Sequence, residues 1–347
     1  MTTIKEIAKL ANVSTATVSY TLNDPSKISE ETRNKVLQVI NRVNYKPNSI
    51  AKSLKVKKTN TIGIITEDIA TFIAPEIING IDEYAEQKKY HILLNNIRLH
   101  KRLGIHFDDT VKYSRIISEI TSVLLSKQVD GFIYLGVYCR DVTGLIDKIP
   151  VPIVYTYCFT QNENDVSIGY DDELAAYEIV QYLVSKGHRK IGVITGLMDS
   201  VHAQDRLKGY QRALYEHNIL FNPQYMVIGD WNERGYTAGK ELLTLPDRPT
   251  AIFAMNDIMA GGVIDAANEI GIKIPGELSL VGFDNRECST AYTPRLTTMA
   301  IPLNEMGQLS AETLITMING DYDESHPKRI IKLPCKLVER NSVSRNN

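Results

Sequence analysis

Six residues near the start of the chain carry the side chains that a reader of nucleic acid needs. Ser14, Thr15, Ala16, Thr17, Ser19 and Tyr20 fall within one short stretch. Their hydroxyls donate and accept hydrogen bonds over a short reach, and Ala16 adds no bulk. A helix bearing them can therefore approach base edges and phosphates closely. Such chemistry requires a helix that presents this face outward, and the flanking residues supply one. Val18 and Leu22 lie four apart and face inward, which leaves Thr15, Ala16, Ser19 and Tyr20 outside. Upstream, Thr3 and Glu6 have the spacing of a capping box, ahead of a helix whose apolar face is Ile4, Ile7, Ala8 and Leu10. Asn12 falls at the turn, where positive φ is tolerated. Val13 plugs the corner and Ser14 can cap the second helix. A third helix follows Ser29, with Glu30 and Glu31 at the positive end of its dipole and Val36, Leu37, Ile40 and Val43 as its buried stripe. The spacing predicts a helix-turn-helix, the unit that sets a short helix in the DNA major groove. A three-helix bundle without a nucleic-acid role is the alternative.

Charge argues against that alternative. Residues 1–60 hold 11 Lys or Arg against 4 Asp or Glu, while the other 287 residues hold 28 against 37. A net charge of −2 thus conceals a cationic head on an anionic body, the footprint of polyanion binding. The stretch 46–60 is basic and helix-compatible from Asn48 to Lys55. A helix of about eight residues is shorter than the roughly 12–15 needed for marginal stability alone. It forms only with outside support, and is otherwise a solvated linker.

Beyond Thr61 short apolar runs alternate with amphipathic stretches. TIGIIT, HILLNN, GFIYLG and PIVYTY read as strands, with helices over 75–88 and 113–127. KIGVIT, YMVIGD, AIFAMN and LSLVGF follow, with helices over 171–186, 203–218, 233–244 and 257–270. This βα alternation predicts parallel sheets covered by helices, in a body large enough for two lobes. The four cysteines have no metal-like spacing and read as reduced thiols. No nucleophile–base pair, nucleotide loop or metal motif stands in the right context. We therefore expect no enzyme activity, cofactor or metal. Without a membrane-length apolar run or a secretion signal, the expected location is the cytoplasm.

The ordered pieces together resemble the lactose/galactose repressor (LacI/GalR) family along nearly the whole chain. In the head these are IKEIAKLANVSTATVSYTLN and ISEETRNKVLQVINRVNYKPNSIAKSLK. In the body they are TNTIGII, SKQVDGFI, YLVSKGHRKIGVITG, RLKGYQRAL, PTAIFAMNDIMAGGVIDA, IPGELSLVGFDN and PRLTT. The resemblance implies an all-α helix-turn-helix head (1–46), a hinge helix and linker (47–60) and an α/β body (61–340). The body would be two doubly wound parallel-sheet lobes of periplasmic-binding-protein type. Three crossings, near 157–165, 284–295 and 323–328, would give a first lobe of about 61–160 plus 296–322. The second lobe would be about 161–290 plus 328–340.

By the same resemblance Thr15, Ala16 and Tyr20 meet bases, and Ser14, Thr17, Asn23 and Tyr45 meet phosphates. Tyr20 stands where Arg or His is frequent, so the preferred base differs. Two hinge helices would lie side by side in the minor groove, with Asn48 and Lys55 at the DNA. Ala51 would allow close approach, and Leu54 would wedge into a base step. In the body Arg206 is the effector-clamping position, its planar fork suited to hydroxyls or a carboxylate. Asp284, Asn256 and Trp231 follow strands and complete a candidate cleft, with Phe72 from the loop after the first strand. Tyr157 and Cys158 replace the family's frequent acid or amide and Arg. Asn95, Asn96 and Arg98 can project from the first lobe. Each has a plainer role open to it: Arg206 can pair with Asp205 or Asp199, Trp231 can be core, and Asp284 can cap a turn.

The expected protein is a ligand-responsive repressor that binds a palindromic double-stranded operator as a homodimer, with a sugar as effector. The C-terminal VERNSVSRNN has no leucine heptads, which favours a dimer over a tetramer. The alternatives are a purine-responsive regulator, or a solute receptor or sugar-handling protein with the same body. The basic head argues against the receptor.

Overall fold

The structure, a computed structural model, describes residues 2–45, 58–99, 102, 110–146, 149–232, 234–323 and 330–346. It divides into two compact units, Met1–Thr59 and Asn60–Asn347. In the first, α1 (Ile4–Ala11), α2 (Thr15–Asn23) and α3 (Glu30–Arg42) close on a core that includes Ile7, Ala8, Ala11, Val18, Val36, Val39 and Ile40. Both arms of the capping box are present: Thr3 Oγ1 accepts from Glu6 N at 3.3 Å and Glu6 Oε2 accepts from Thr3 N at 2.7 Å. Asn12 takes the left-handed conformation, with φ 50°, and its N–H closes on the last carbonyls of α1. Ile4 and Leu10, expected on the buried face, are exposed. Three short helices enclose only a narrow stripe, and Ile7, Ala8 and Ala11 fill it.

The second unit contains two six-stranded sheets. The first is made of β1 (Thr61–Thr66), β2 (His91–Asn96), β3 (Gly131–Leu135), β4 (Ile153–Thr156), β5 (Val166–Tyr170) and β11 (Ile330–Leu333). Its order is β11-β5-β4-β3-β1-β2, and every neighbouring pair is parallel. The second is made of β6 (Ile191–Thr195), β7 (Met226–Ile228), β8 (Ala251–Ala254), β9 (Ser279–Asp284), β10 (Thr297–Ala300) and β12 (Lys336–Val338). Its order is β12-β10-β9-β8-β6-β7, parallel except for β10 with β12. Strands β3, β6 and β8 are buried along their whole length, as helix-covered parallel strands must be. Around the first sheet lie α4 (Ala74–Gln87), α5 (Thr110–Ser126) and, returning late in the chain, α11 (Leu303–Asn319). Around the second lie α6 (Asp172–Ser185), α7 (Val201–Glu216), α8 (Arg234–Leu243), α9 (Asp257–Ile270) and the single turn α10 (Cys288–Ala291).

The crossings between sheets fall at 170–172, 300–303 and 333–336, each later than the sequence led us to expect. β5 belongs to the first sheet rather than the second lobe, β10 to the second rather than the first, and β11 to the first rather than the second. These are short strands, and their membership is set by lateral hydrogen bonds to distant partners. β5, for example, pairs with β11, Ile330 lying beside Ser167.

Both sheets share one winding: β2-β1-β3-β4-β5 is repeated as β7-β6-β8-β9-β10. The order reverses beside β1 and beside β6. A crevice opens there at the strand C-terminal ends, the place where open α/β sheets bind ligands.

Candidate functional site

In the head, Ser14 caps α2. Its Oγ accepts from Thr17 N at 3.0 Å and lies 2.9 Å from Thr17 Oγ1. The first turn of α2 holds no acidic residue, so the positive end of its dipole has no local anion. Ser14, Thr15, Ala16 and Tyr20 are exposed, while Thr17 and Ser19 are half-buried. Lys27 Nζ lies 5.5 Å from the centre of the Tyr20 ring and 2.9 Å from Asp24, placing a cation beside the outward face. Tyr45 is half-buried against the three-helix core. The side chain of Asn23, and Asn48, Ala51, Leu54 and Lys55 entirely, lie outside the described residues.

In the body, Arg206 is buried where several strand ends meet. Its Nε donates to Asp172 Oδ1 at 2.6 Å, its Nη1 to the Met255 carbonyl beyond β8, and its Nη2 to Tyr170 Oη at 2.9 Å. Asp284, closing β9, lies 3.8 Å from Nη2. The guanidinium sits 3.5 Å from the Phe283 ring centre and 5.6 Å from that of Trp231. Its partner is thus Asp172, with Asp284 beyond. Asp205 pairs with Lys208 instead, at 2.7 Å. Glycine brings Asp172 into reach: a Cβ on Gly209 would lie 2.0 Å from the Glu173 carbonyl oxygen, so α6 and α7 touch backbone to backbone one turn from Arg206.

Trp231, Asp284 and Tyr157 have φ of 72°, 101° and 61°, in the left-handed region that bulky residues seldom enter. Strain of this kind concentrates at binding sites, where the surroundings enforce it. At Trp231 the enforcing group is Asn256. Its Nδ2 donates to the Trp231 carbonyl at 2.8 Å, and its Oδ1 accepts from Met259 N at 2.8 Å as the cap of α9. Asn256 therefore positions Trp231 with an amide already engaged at both ends. The indole lies on Gly196 after β6, where a Cβ would come within 1.9 Å of the ring. Tyr157 is buried, 5.3 Å from the His202 ring and 5.8 Å from that of Tyr170. Phe72, beyond β1, is exposed under the guanidinium of Arg286 from the other lobe, 4.7 Å away. A cavity of about 730 Å³ opens here, between Phe72 and Glu76 on one side and Asp284 to Glu287 on the other. A smaller one, about 220 Å³, adjoins Tyr157, Tyr170, Asp172 and His202.

Electrostatics set the protonation of this site. Burial works against a charge on Asp172, but His202 and Arg206 outweigh it and hold its carboxyl below the ordinary range. Asp284 is pushed up to about 8 by burial, against the pull of Arg206 and with a further push from Asp257. Asp257, at the start of α9, rises to about 7 through burial, although Thr298 Oγ1 and Arg286 N donate to it.

Tyr170, Asp172 and His202 were not singled out from the sequence. The Asp171–Asp172 pair after VSIGY was the available signal, and reading VSIGY as a strand would have exposed it. His202 links the lobes: its Nε2 accepts from Cys139 N at 3.3 Å, while Nδ1 meets Asp172 Oδ2 at 2.7 Å. Asn96 does not stand free, since its Oδ1 accepts from Ile69 N and Arg98 N. Most of the long segment after Leu99 lies outside the described residues. The first lobe has a buried network of its own. Glu67 accepts from Tyr134 Oη at 2.5 Å, from Val137 N at 2.8 Å and from Arg140, whose Nη2 also reaches Tyr113 Oη at 3.0 Å. Among the described residues no His, Cys, Asp and Glu cluster could hold a metal, and no helix is long and apolar enough to cross a membrane.

A helix-turn-helix head and a two-lobed cleft built around a buried arginine define a ligand-responsive DNA-binding regulator. Residues 3–48 match the family described as bacterial regulatory proteins, lacI family, and residues 180–343 match a periplasmic binding protein-like domain. The chain is 34% identical to catabolite control protein A of Priestia megaterium, over 98% of this chain and 99% of that protein. It is 33% identical to the ribose operon repressor of Haemophilus influenzae, over 98% of each, and 31% identical to the transcriptional repressor PurR of Vibrio vulnificus, over all of both. The crystal structure of the Lac repressor dimer bound to operator and the anti-inducer ONPF superposes with a TM-score of 0.77 at 28% identity, over 99% of each chain. The chain belongs to the LacI family of transcriptional regulators, which are not enzymes.

Proposed function

We propose that this protein is a cytoplasmic, homodimeric repressor of a two-fold symmetric operator, and that a carbohydrate in the cleft between its sheets sets its grip on DNA. Thr15, Ala16 and Tyr20 read bases. Ser14, Thr17, Ser19, Asn23 and Tyr45 hold the phosphate backbone. Asn48, Ala51, Leu54 and Lys55 serve the minor groove. The observation that carries the effector assignment is Arg206, enclosed by partners from both sheets beside an indole fixed in a strained conformation. Trp231 offers a flat apolar face to a sugar ring, and Arg206 and Asp284 offer hydroxyl partners. Among the relatives, the ribose operon repressor favours a sugar. For the dimer, the edge strands β2 and β7 occupy equivalent positions in the two sheets and leave Leu93, Leu94 and Ile228 exposed.

Gel-shift titration on the protein's own promoter tests this reading, with the intact chain and one lacking residues 1–58. Only the intact chain should retard the DNA, and a sugar should alter the shift. Leu54→Ala should weaken specific binding more than nonspecific binding. Failure of the intact chain at low salt refutes the proposal. A second reading, a purine effector, is favoured by the PurR relative. A shift altered by hypoxanthine or guanine and by no sugar would establish it.

A further inference from the structure

We infer that the effector is an uncharged polyol and that Asp172 is the residue that excludes anionic sugars. This rests on the reading of the cleft as the effector site. An arginine captures a phosphate or carboxylate best through two parallel N–H groups presented as a fork. In this chain the fork is already occupied. Nε is held by Asp172 at 2.6 Å, Nη2 by Tyr170 at 2.9 Å and Nη1 by the Met255 carbonyl. The Phe283 ring lies against the guanidinium as well, its centre 3.5 Å away, with that of Trp231 at 5.6 Å. The charge is neutralised in the same place, because Asp172 stays ionised between Arg206 and His202, 2.7 Å from the imidazole.

An incoming phosphate would have to displace a buried carboxylate from its arginine, then sit beside it. A hydroxyl need only share the guanidinium hydrogens left on Nη1 and Nη2, each of which makes one close bond. The larger cavity repeats the bias. It is bordered by Glu76, Glu287 and Glu305, with Asp284 kept largely protonated by burial, and Arg286 is the cation among its lining residues. That arginine lies over Phe72, which lines the same cavity. An anion entering that cavity therefore meets an excess of acidic side chains.

Asp172→Asn keeps the shape of the side chain and removes the charge that balances Arg206. The experiment is isothermal titration of the full chain with inorganic phosphate and with ribose 5-phosphate, wild type against Asp172→Asn, with thermal melting to show that both are folded. Ribose, glucose and cellobiose are titrated in parallel. We expect no measurable uptake of either anion by the wild type and at least a tenfold gain for ribose 5-phosphate in Asp172→Asn. Asp172→Ser, which also removes the carboxylate bonded to Arg206, is the second variant if the first does not fold, and a gain in the same direction is expected there. Uptake of ribose 5-phosphate by the wild type that Arg206→Ala abolishes overturns the inference. So does unchanged anion affinity in the folded variants. The cleft assignment itself is decided separately, by whether a sugar that alters operator binding loses that effect in Arg206→Ala.

Discussion

Each lobe sets an arginine against a buried carboxylate beyond the ends of its strands, and the two pairs are wired differently. Glu67 is fully enclosed, and its partners Tyr134, Val137 and Arg140 all come from β3 or the loop after it. That network ties one loop to one sheet, and a movement of the lobes leaves its bonds intact. Arg206 draws Asp172 from α6, a carbonyl from the end of β8 and Tyr170 from a strand of the opposite sheet. His202, bonded to the same Asp172, takes a backbone N–H from the loop of the first lobe that carries Cys139. A ligand shifts an equilibrium only through contacts that differ between its states. The second pair has such contacts and the first does not. On the function proposed above, the same chemistry is a fastening in one lobe and a sensor in the other.

The largest effect that separates them should come from Glu67→Ala. It leaves Arg140 and Tyr134 without their buried partner and should cost about 3–5 kcal/mol of stability. Denaturant unfolding measures the loss, and the surviving folded protein should keep its effector response. A variant as stable as the wild type would remove the distinction. Arg206→Ala also strips a buried carboxylate of its partner, but unlike Glu67→Ala it should weaken effector binding roughly 10- to 100-fold while sparing operator binding. Isothermal titration with unchanged affinity would return Arg206 to a structural role.

The titration of Asp284 sharpens the same contrast. It and Asp257 are held at about 8 and about 7 against an ordinary value of 3.8. The folded chain keeps protons that the unfolded chain sheds, so their contribution to stability declines as pH rises from about 4 to about 8. Asp172, shifted the other way, loses its contribution only as pH falls below the ordinary range. Asp284→Asn should therefore melt with a shallower pH dependence across that window, and equal slopes in calorimetry would argue that Asp284 is ionised throughout. The smallest effect should come from the head. Ser14→Ala removes the cap of α2 and should cost about 1 kcal/mol, seen as faster amide exchange in α2, with effector affinity unchanged.

The head was legible in the sequence almost to the residue because its signals are local. The capping box spans Thr3 to Glu6, the turn needs one tolerant residue at Asn12, and Ser14 caps the helix that follows. Even there the buried face was misread at Ile4 and Leu10, since the width of a stripe depends on what packs against it. The strands buried on both faces were legible as apolar runs. β5, β10, β11 and β12 were not, and with them went the lobe boundaries and the chemistry at Tyr170 and Asp172. The sequence alone determined that a cationic three-helix unit precedes a twofold βα body, and that Arg206, Trp231 and Asp284 follow or adjoin strand ends. Tertiary structure alone decided which carboxylate meets Arg206. Asp172 and Arg206 stand 34 residues apart, and their ion pair exists only because two helices touch at Gly209 and the chain changes sheets directly after Tyr170.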